Sequence, residues 1–287
     1  MTYPKVRERD ALNRCDSDTD CTVRMREDYQ GDILSFYALE VSGAFFIGGI
    51  PMNLWSQIQE NLSFILICAI VAAVLYFGAK LSQRFLPELR ATTPARRVSI
   101  IGICAAIATV LHMLDFPLLF LAPEFYKLDL SELPVMLCGF YLGPTATVVC
   151  EALKITLKLL FKGTSTAFVG DFANFAVGCS LVLPATILYH IKKTKGFAIL
   201  GLTVGTIVLT IFGSAFNAIY LLPKFAQLYG ISLESIIAMG GKINANISSV
   251  STFVLLAVAP LNLIKGVGIS ILTMLLYKRV ARPLFGK

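Results

Sequence analysis

Charge is what this sequence has least of. Asp, Glu, Lys and Arg make up 15% of its 287 residues, against roughly 25% in soluble domains, while 56% are hydrophobic and the mean hydropathy is +0.74. An ordinary soluble fold is excluded, and an integral membrane protein remains. Histidine occurs only twice, at His112 and His190, and the seven cysteines include no C-x-x-C pair, so neither a metal centre nor a disulfide framework is indicated. Five cysteines sit inside apolar runs as small hydrophobes, and Cys15 and Cys21 leave a bridge within the polar tail open. No Ser-His-Asp or G-x-S-x-G pattern is present. The Gly-Lys dipeptides at 241–242 and 286–287 lack the rest of a phosphate-binding loop, so no catalytic residues and no ATP hydrolysis are assigned to the chain. The first residues lack the apolar core and cleavage site of a signal peptide. With no basic patch on a soluble face, nucleic acid is not a partner.

What the chain does have is apolar runs of about 20 residues, the length that crosses a bilayer. They fall at 62–81, 98–116, 144–161, 171–190, 197–222 and 251–277. A shorter run, 132–143, reaches only about 18 Å as a helix and is expected as a short or tilted crossing. The organisation predicted is a polar, disordered tail over 1–32, an N-terminal extension over 33–97 and a six-helix transmembrane domain over 98–287. The extension holds a transmembrane helix near 62–81 and a basic linker; its stretch 33–55, with three glycines and a proline, suits an interfacial segment or an extra crossing. The fold class is an all-α membrane bundle with at least one extra N-terminal helix.

Orientation follows from lysine and arginine near helix ends. Twelve of them cluster in the linker 80–97, the turn 190–196 and the tail from Lys278, against Lys127, Lys162, Lys224 and Lys242 in the opposite loops. The net charge of +7 is thus a topology signal that places the C-terminus in the cytoplasm.

Chemistry is expected where polar residues lie inside these runs. Lys265 stands near the centre of 251–277, where a charge costs about 2.5–3.5 kcal/mol. Asn262 shares its helical face, Pro260 frees the Leu256 carbonyl, and Gly266 and Gly268 permit close approach. Lys265 either contacts a ligand or is a structural charge paired with Asp171 or Glu151. Asp171 and Asn174 lie together near the start of 171–190, where an amide either bonds a neighbouring helix or reads a substrate; helix–helix hydrogen bonds of this kind are weak, about 0.6 kcal/mol each. Glu151, Lys154 and Lys158 share one face, as an internal ion pair with a snorkelling Lys158 would require. Ahead of 132–143, the loop 117–130 carries two prolines and presents Phe120, Phe125 and Tyr126 to cover a ligand, with Glu124, Lys127 and Asp129 expected to stay wet.

Four motifs in order then carry a resemblance: L-D-L-S-E-L-P at 128–134, the G-P break at 143–144, G-D-F-A-N-F at 170–175 and P-L-N-L-I-K-G at 260–266. Over roughly 96–279 the chain resembles the riboflavin-specific substrate-binding (S) components of energy-coupling-factor (ECF) transporters. Family members usually carry Glu where Asp171 stands and Lys-Asn where Lys154-Ile155 stands. The resemblance implies a riboflavin site in the outer half of the bundle, with the backbone at Leu128 and the side chains of Asn174, Asn262 and Lys265 bonding the isoalloxazine, Asp171 supporting them, and Phe125 and Tyr126 in a lid. It implies riboflavin as transported ligand, no cofactor and no metal. The partners implied are a transmembrane coupling subunit and two ABC-type ATPases, in a bacterial cell membrane.

Gly102, Ala105, Ala106 and Ala108 form a small-residue face on the first domain helix, suited either to docking the coupling subunit or to packing within the bundle. Two other readings stay open. One is an S component for another vitamin or a nucleobase-like ligand, and the other is a stand-alone ion-coupled carrier using Lys265 with Asp171.

Overall fold

The computed structural model describes residues 62–86, 92–164, 166 and 168–285. The expected tail 1–32 and the stretch 33–55 lie outside the described residues. What is described is almost wholly helical: α1 (Leu62–Arg84), α2 (Pro94–Met113), α3 (Glu132–Leu142), α4 (Pro144–Lys162), α5 (Val169–Lys192), α6 (Lys195–Phe216), α7 (Leu222–Tyr229), α8 (Leu233–Ile243), α9 (Val250–Phe253) and α10 (Ala259–Phe285). Four continuous helices are long and apolar enough to cross a membrane: 94–113, 169–192, 195–228 and 250–277. Helix α4 is long enough too, but it carries Glu151, Lys154, Lys158 and Lys162.

Local chemistry sets the boundaries. Thr93 caps α2 by accepting the Arg96 amide, with Pro94 in the first turn, where the missing N–H costs nothing. Gly143 (φ 96°) separates α3 from Pro144, the first residue of α4, and only glycine takes that backbone without strain. Two π-helical turns, Asn217–Leu221 and Val254–Val258, precede Pro223 and Pro260. Proline supplies no N–H to the preceding turn, so a one-residue slip in the ladder is the local answer. The freed backbone expected at Pro260 is therefore absorbed in a π turn that joins α9 to α10 without a break.

Helix α3 is the core. All eleven of its residues are buried, enclosed by α2, α4, α5, α6 and α10 through Cys104, Ala105, Ala108, Cys150, Leu181, Leu202 and Ile269. Helix α1 lies outside this bundle and packs Leu75, Tyr76 and Ala79 on Val148, Ile155, Phe175 and Cys179 of α4 and α5. Of the expected docking face, Ala105 and Ala108 are fully buried in the bundle core. They serve internal packing, and only Gly102 and Ala106 retain exposure.

The closest helix pair is α5–α6. A Cβ at Gly201 would stand 2.6 Å from the Ala185 carbonyl oxygen, and one at Gly205 would collide with that of Leu181, so this Gly-x-x-x-Gly lets the two backbones touch. Gly266 plays the same part toward Thr206, whereas Gly268 faces open space. Gly205→Ala should lower stability by about 1–3 kcal/mol, the usual cost of overpacking, while Gly268→Ala should be neutral or slightly stabilising. Thermal melts of the two detergent-solubilised variants distinguish them.

Candidate binding site

The site grows from the loop between α2 and α3. Phe116 and Pro117 pair antiparallel with Leu128 and Lys127, closing 118–126 into a hairpin-like lid. Its inner surface packs Ala122, Phe125 and Tyr126 on Leu222, Phe253, Val258 and Leu261. The Tyr126 ring lies 6.0 Å from that of Phe253, and its hydroxyl donates to Asn217 Oδ1 at 2.7 Å. Burial pushes the Tyr126 phenol up, which keeps it a donor. Phe120 is 75% exposed and points away from this contact, so of the three expected lid aromatics Phe125 and Tyr126 cover the bundle and Phe120 does not.

Immediately after the strand pair the chain dives inward. Asp129 Oδ1 accepts the Ser131 amide at 2.9 Å, an Asx turn that starts α3, and this aims Oδ2 at Lys265 Nζ, 3.1 Å away. Asp129 was expected in water; it is 3% exposed. Burial alone would raise its pKa, but the Lys265 ammonium and then His112 hold the carboxyl well below its usual range. His112 Nδ1 stands 3.5 Å from the same oxygen, without a well-formed hydrogen bond.

Glu132 continues the network. Its Oε1 lies 3.1 Å from Lys265 Nζ and 3.4 Å from Lys154 Nζ. Lys154 also donates to Ser131 Oγ at 3.0 Å and to Glu151 Oε1 at 2.5 Å. The expected Glu151–Lys154 pair is present, as one end of a five-member chain: Asp129, Lys265, Glu132, Lys154, Glu151. All five are buried.

Lys265 thus pairs with Asp129 and Glu132, and neither Asp171 nor Glu151 is its ion-pair partner. Asp171 instead takes Lys158 at 2.6 Å, and that ammonium also donates to the Gly163 carbonyl at 2.9 Å. Asp171 therefore ties α5 to the end of α4, and Lys158 is held by this pair.

Donor counting picks out what is left over. An ammonium has three N–H donors. Lys154 directs its three at Ser131, Glu132 and Glu151, while Lys265 has two nearby acceptors and one donor unspent. On the same face Asn262 is 6% exposed and its Nδ2 has no partner; it lies against Gly213 of α6. Asn174, half-buried on α5, makes no side-chain hydrogen bond among the described residues. Leu128 is buried in the strand pair. Three carboxylates already outnumber the two ammoniums, so the constellation disfavours an anion and suits a ligand with carbonyl and N–H groups. Open clefts lie elsewhere, between Tyr76 and Thr145 and along Leu272–Arg279, so these unspent groups, not open volume, mark the site.

Glu132 is the partner that sequence reasoning missed. Two lysines inside the bundle require carboxylates, and the first residue of a buried helix was available, but pairing between residues so far apart in the chain is invisible until α3, α4 and α10 meet. Glu132→Gln leaves Lys154 and Lys265 sharing fewer charges and should cost about 3–5 kcal/mol. Replacing Glu234, on the first turn of α8 and outside this network, should cost little; denaturation of the two variants in detergent makes the comparison.

Comparison with known proteins identifies the family. Residues 96–277 match the family model of the ECF transporter, substrate-specific component. Riboflavin transporter RibU of Staphylococcus aureus (strain TCH60) is 35% identical over 186 residues, 65% of this chain and 90% of that protein. Riboflavin transporter FmnP of Bacillus subtilis (strain 168) is 29% identical over 185 residues, 63% of this chain and 90% of its own length. A solved structure described as the S component of a bacterial ECF transporter aligns with a TM-score of 0.53 at 34% identity, covering 68% of this chain and 100% of that one. The chain is a multi-pass membrane protein and belongs to the substrate-specific component family of ECF transporters.

Proposed function

We propose that this chain captures riboflavin from the outer side of the membrane and hands it inward through an ATP-driven ECF complex. The observation that carries the reading is a pair of unspent polar groups on α10, one Lys265 donor and the amide of Asn262, on the helix whose Leu261 the aromatic lid covers. Isoalloxazine is a flat neutral tricycle with a row of carbonyl, ring-nitrogen and N–H groups along one edge. An apolar pocket with a few fixed amides and one cation is its complement, and a hydrogen bond from an ammonium to a carbonyl is among the stronger ones. The relatives' names point to the same ligand.

In this reading Lys265, Asn262, Asn174 and the Leu128 backbone hold the ring edge. Asp129 and Glu132 position Lys265, and Asp171 braces α5 through Lys158. Residues 98–287 form the six-crossing domain, with α3 as its short central member, and α1 adds a crossing ahead of it. The C-terminus lies in the cytoplasm. The chain itself does no catalysis and uses no cofactor; a membrane coupling subunit and two ATPases supply the energy. An ion-coupled carrier built on Lys265 and Asp171 finds no support, because each is engaged with a different partner.

Protein purified from riboflavin-fed cells should carry a yellow chromophore, and titration with riboflavin should quench its fluorescence. Lys265→Met should weaken binding roughly tenfold or more, the worth of a hydrogen bond to a charged group. Unchanged affinity in that variant, or a preference for another vitamin, would sink the assignment.

The lid gives a kinetic test. Tyr126→Phe removes one hydrogen bond to Asn217 and leaves the ring in place. It should raise the riboflavin off-rate about fivefold with little change in on-rate, since affinity differences among variants lie mostly in dissociation. Stopped-flow fluorescence measures both.

A further inference from the structure

At the end of the bundle opposite the lid, a cleft of about 340 Å³ separates α1 from the bundle, lined by Tyr76, Lys80, Gln83 and Arg84 of α1, Arg97 of α2 and Thr145 of α4. We propose that this cleft binds the phosphate headgroup of an anionic phospholipid. Its volume falls within the roughly 300–1,000 Å³ of small-molecule sites.

The charge of the cleft is one-sided. Lys80, Arg84 and Arg97 line it with no carboxylate among the lining residues, and none of the three pairs with a described carboxylate. Three cations facing one volume repel one another unless an anion enters. Arg97 is half-buried, and its planar fork matches two phosphate oxygens at once. Gln83 is fixed by accepting both the hydroxyl and the amide of Thr145 at the start of α4, which leaves its NH2 as a further donor.

The rim identifies the source of the phosphate. On α1 the exposed side chains next to the cleft are Phe77 and Leu81, and on α2 the exposed Val98 follows Arg97. The cleft thus sits where apolar helix faces give way to charge, the depth of the headgroups, with a greasy surface beside it for acyl chains. A free phosphate would have no use for that rim. Two of the three cations belong to α1, ahead of the residues 96–277 that match the family, so the site is a feature of this chain's extension and is independent of what the outer site binds.

Native mass spectrometry of the full chain released from detergent, titrated with phosphatidylglycerol, phosphatidylcholine or inorganic phosphate, tests the proposal. One phosphatidylglycerol should be retained and phosphatidylcholine should not. Lys80→Gln and Arg97→Gln should each weaken retention about fivefold while the melting temperature in lipid-free detergent stays unchanged. Equal retention of the two lipids, or undiminished phosphatidylglycerol in the Lys80→Gln/Arg97→Gln double variant, would overturn it. Displacement of the lipid by millimolar inorganic phosphate would assign the cleft to a soluble phosphate and reject the lipid as occupant.

Discussion

Two ammonium groups buried among three carboxylates are the constraint on which the lid end of this bundle depends. An unpaired charge is far more costly in the bundle than in water, so Lys265 and Lys154 must each find an acid, and the acids come from a loop, from α3 and from α4. Satisfying them draws α10 against the start of α3 and fixes the point where the lid re-enters the bundle. The same arrangement leaves Lys265 with one donor that meets no acceptor among the described residues. The ammonium is thereby held in place by its own electrostatic needs, and the excess of carboxylates around it disfavours an anion there.

The lid shares this anchor. Asp129 follows directly on the strand pair that closes the loop, so the position of Phe125 and Tyr126 is referred to the same carboxylate that holds Lys265. Tyr126 adds a second attachment, to Asn217 in a π turn of the helix that continues α6. The loop is thus fastened at its base, by the strand pair and by Tyr126 beside it, while its Ala122 and Phe125 rest on the helices beneath.

Much of this was legible in the sequence because the bilayer enforces it. The apolar runs mark α1, α2, α4, α5 and the continuous helix 250–277 to within a few residues and α6 less closely, and Lys265 and Asn262 stand out because polar side chains inside an apolar run need a reason. Partner choice was not legible. The sequence offers Asp171 or Glu151 to Lys265, and the fold chooses Asp129 and Glu132, because these two stand where the loop enters α3 and meets α10, while Glu151 is engaged by Lys154 and Asp171 by Lys158. Small residues on α2 were equally ambiguous: helix periodicity places Ala105 and Ala108 on one face but cannot tell an inner face from an outer one when both are apolar. The short helices α7 and α8 between the long spans gave no strong signal, since their lengths and polarity are those of any connecting segment.

Helix α3 has a consequence for how the protein is made. It has eleven residues, begins with Glu132 and is enclosed by protein on every side. A segment so short and acidic cannot rest in lipid by itself during synthesis, for it neither spans the hydrocarbon nor hides its carboxylate. Its charge is masked only once Lys154 has emerged, and Gly143 alone joins it to the helix that carries that lysine. Entry of α3 together with α4 as one hairpin would mask that carboxylate earliest, since its second partner, Lys265, arrives only with α10.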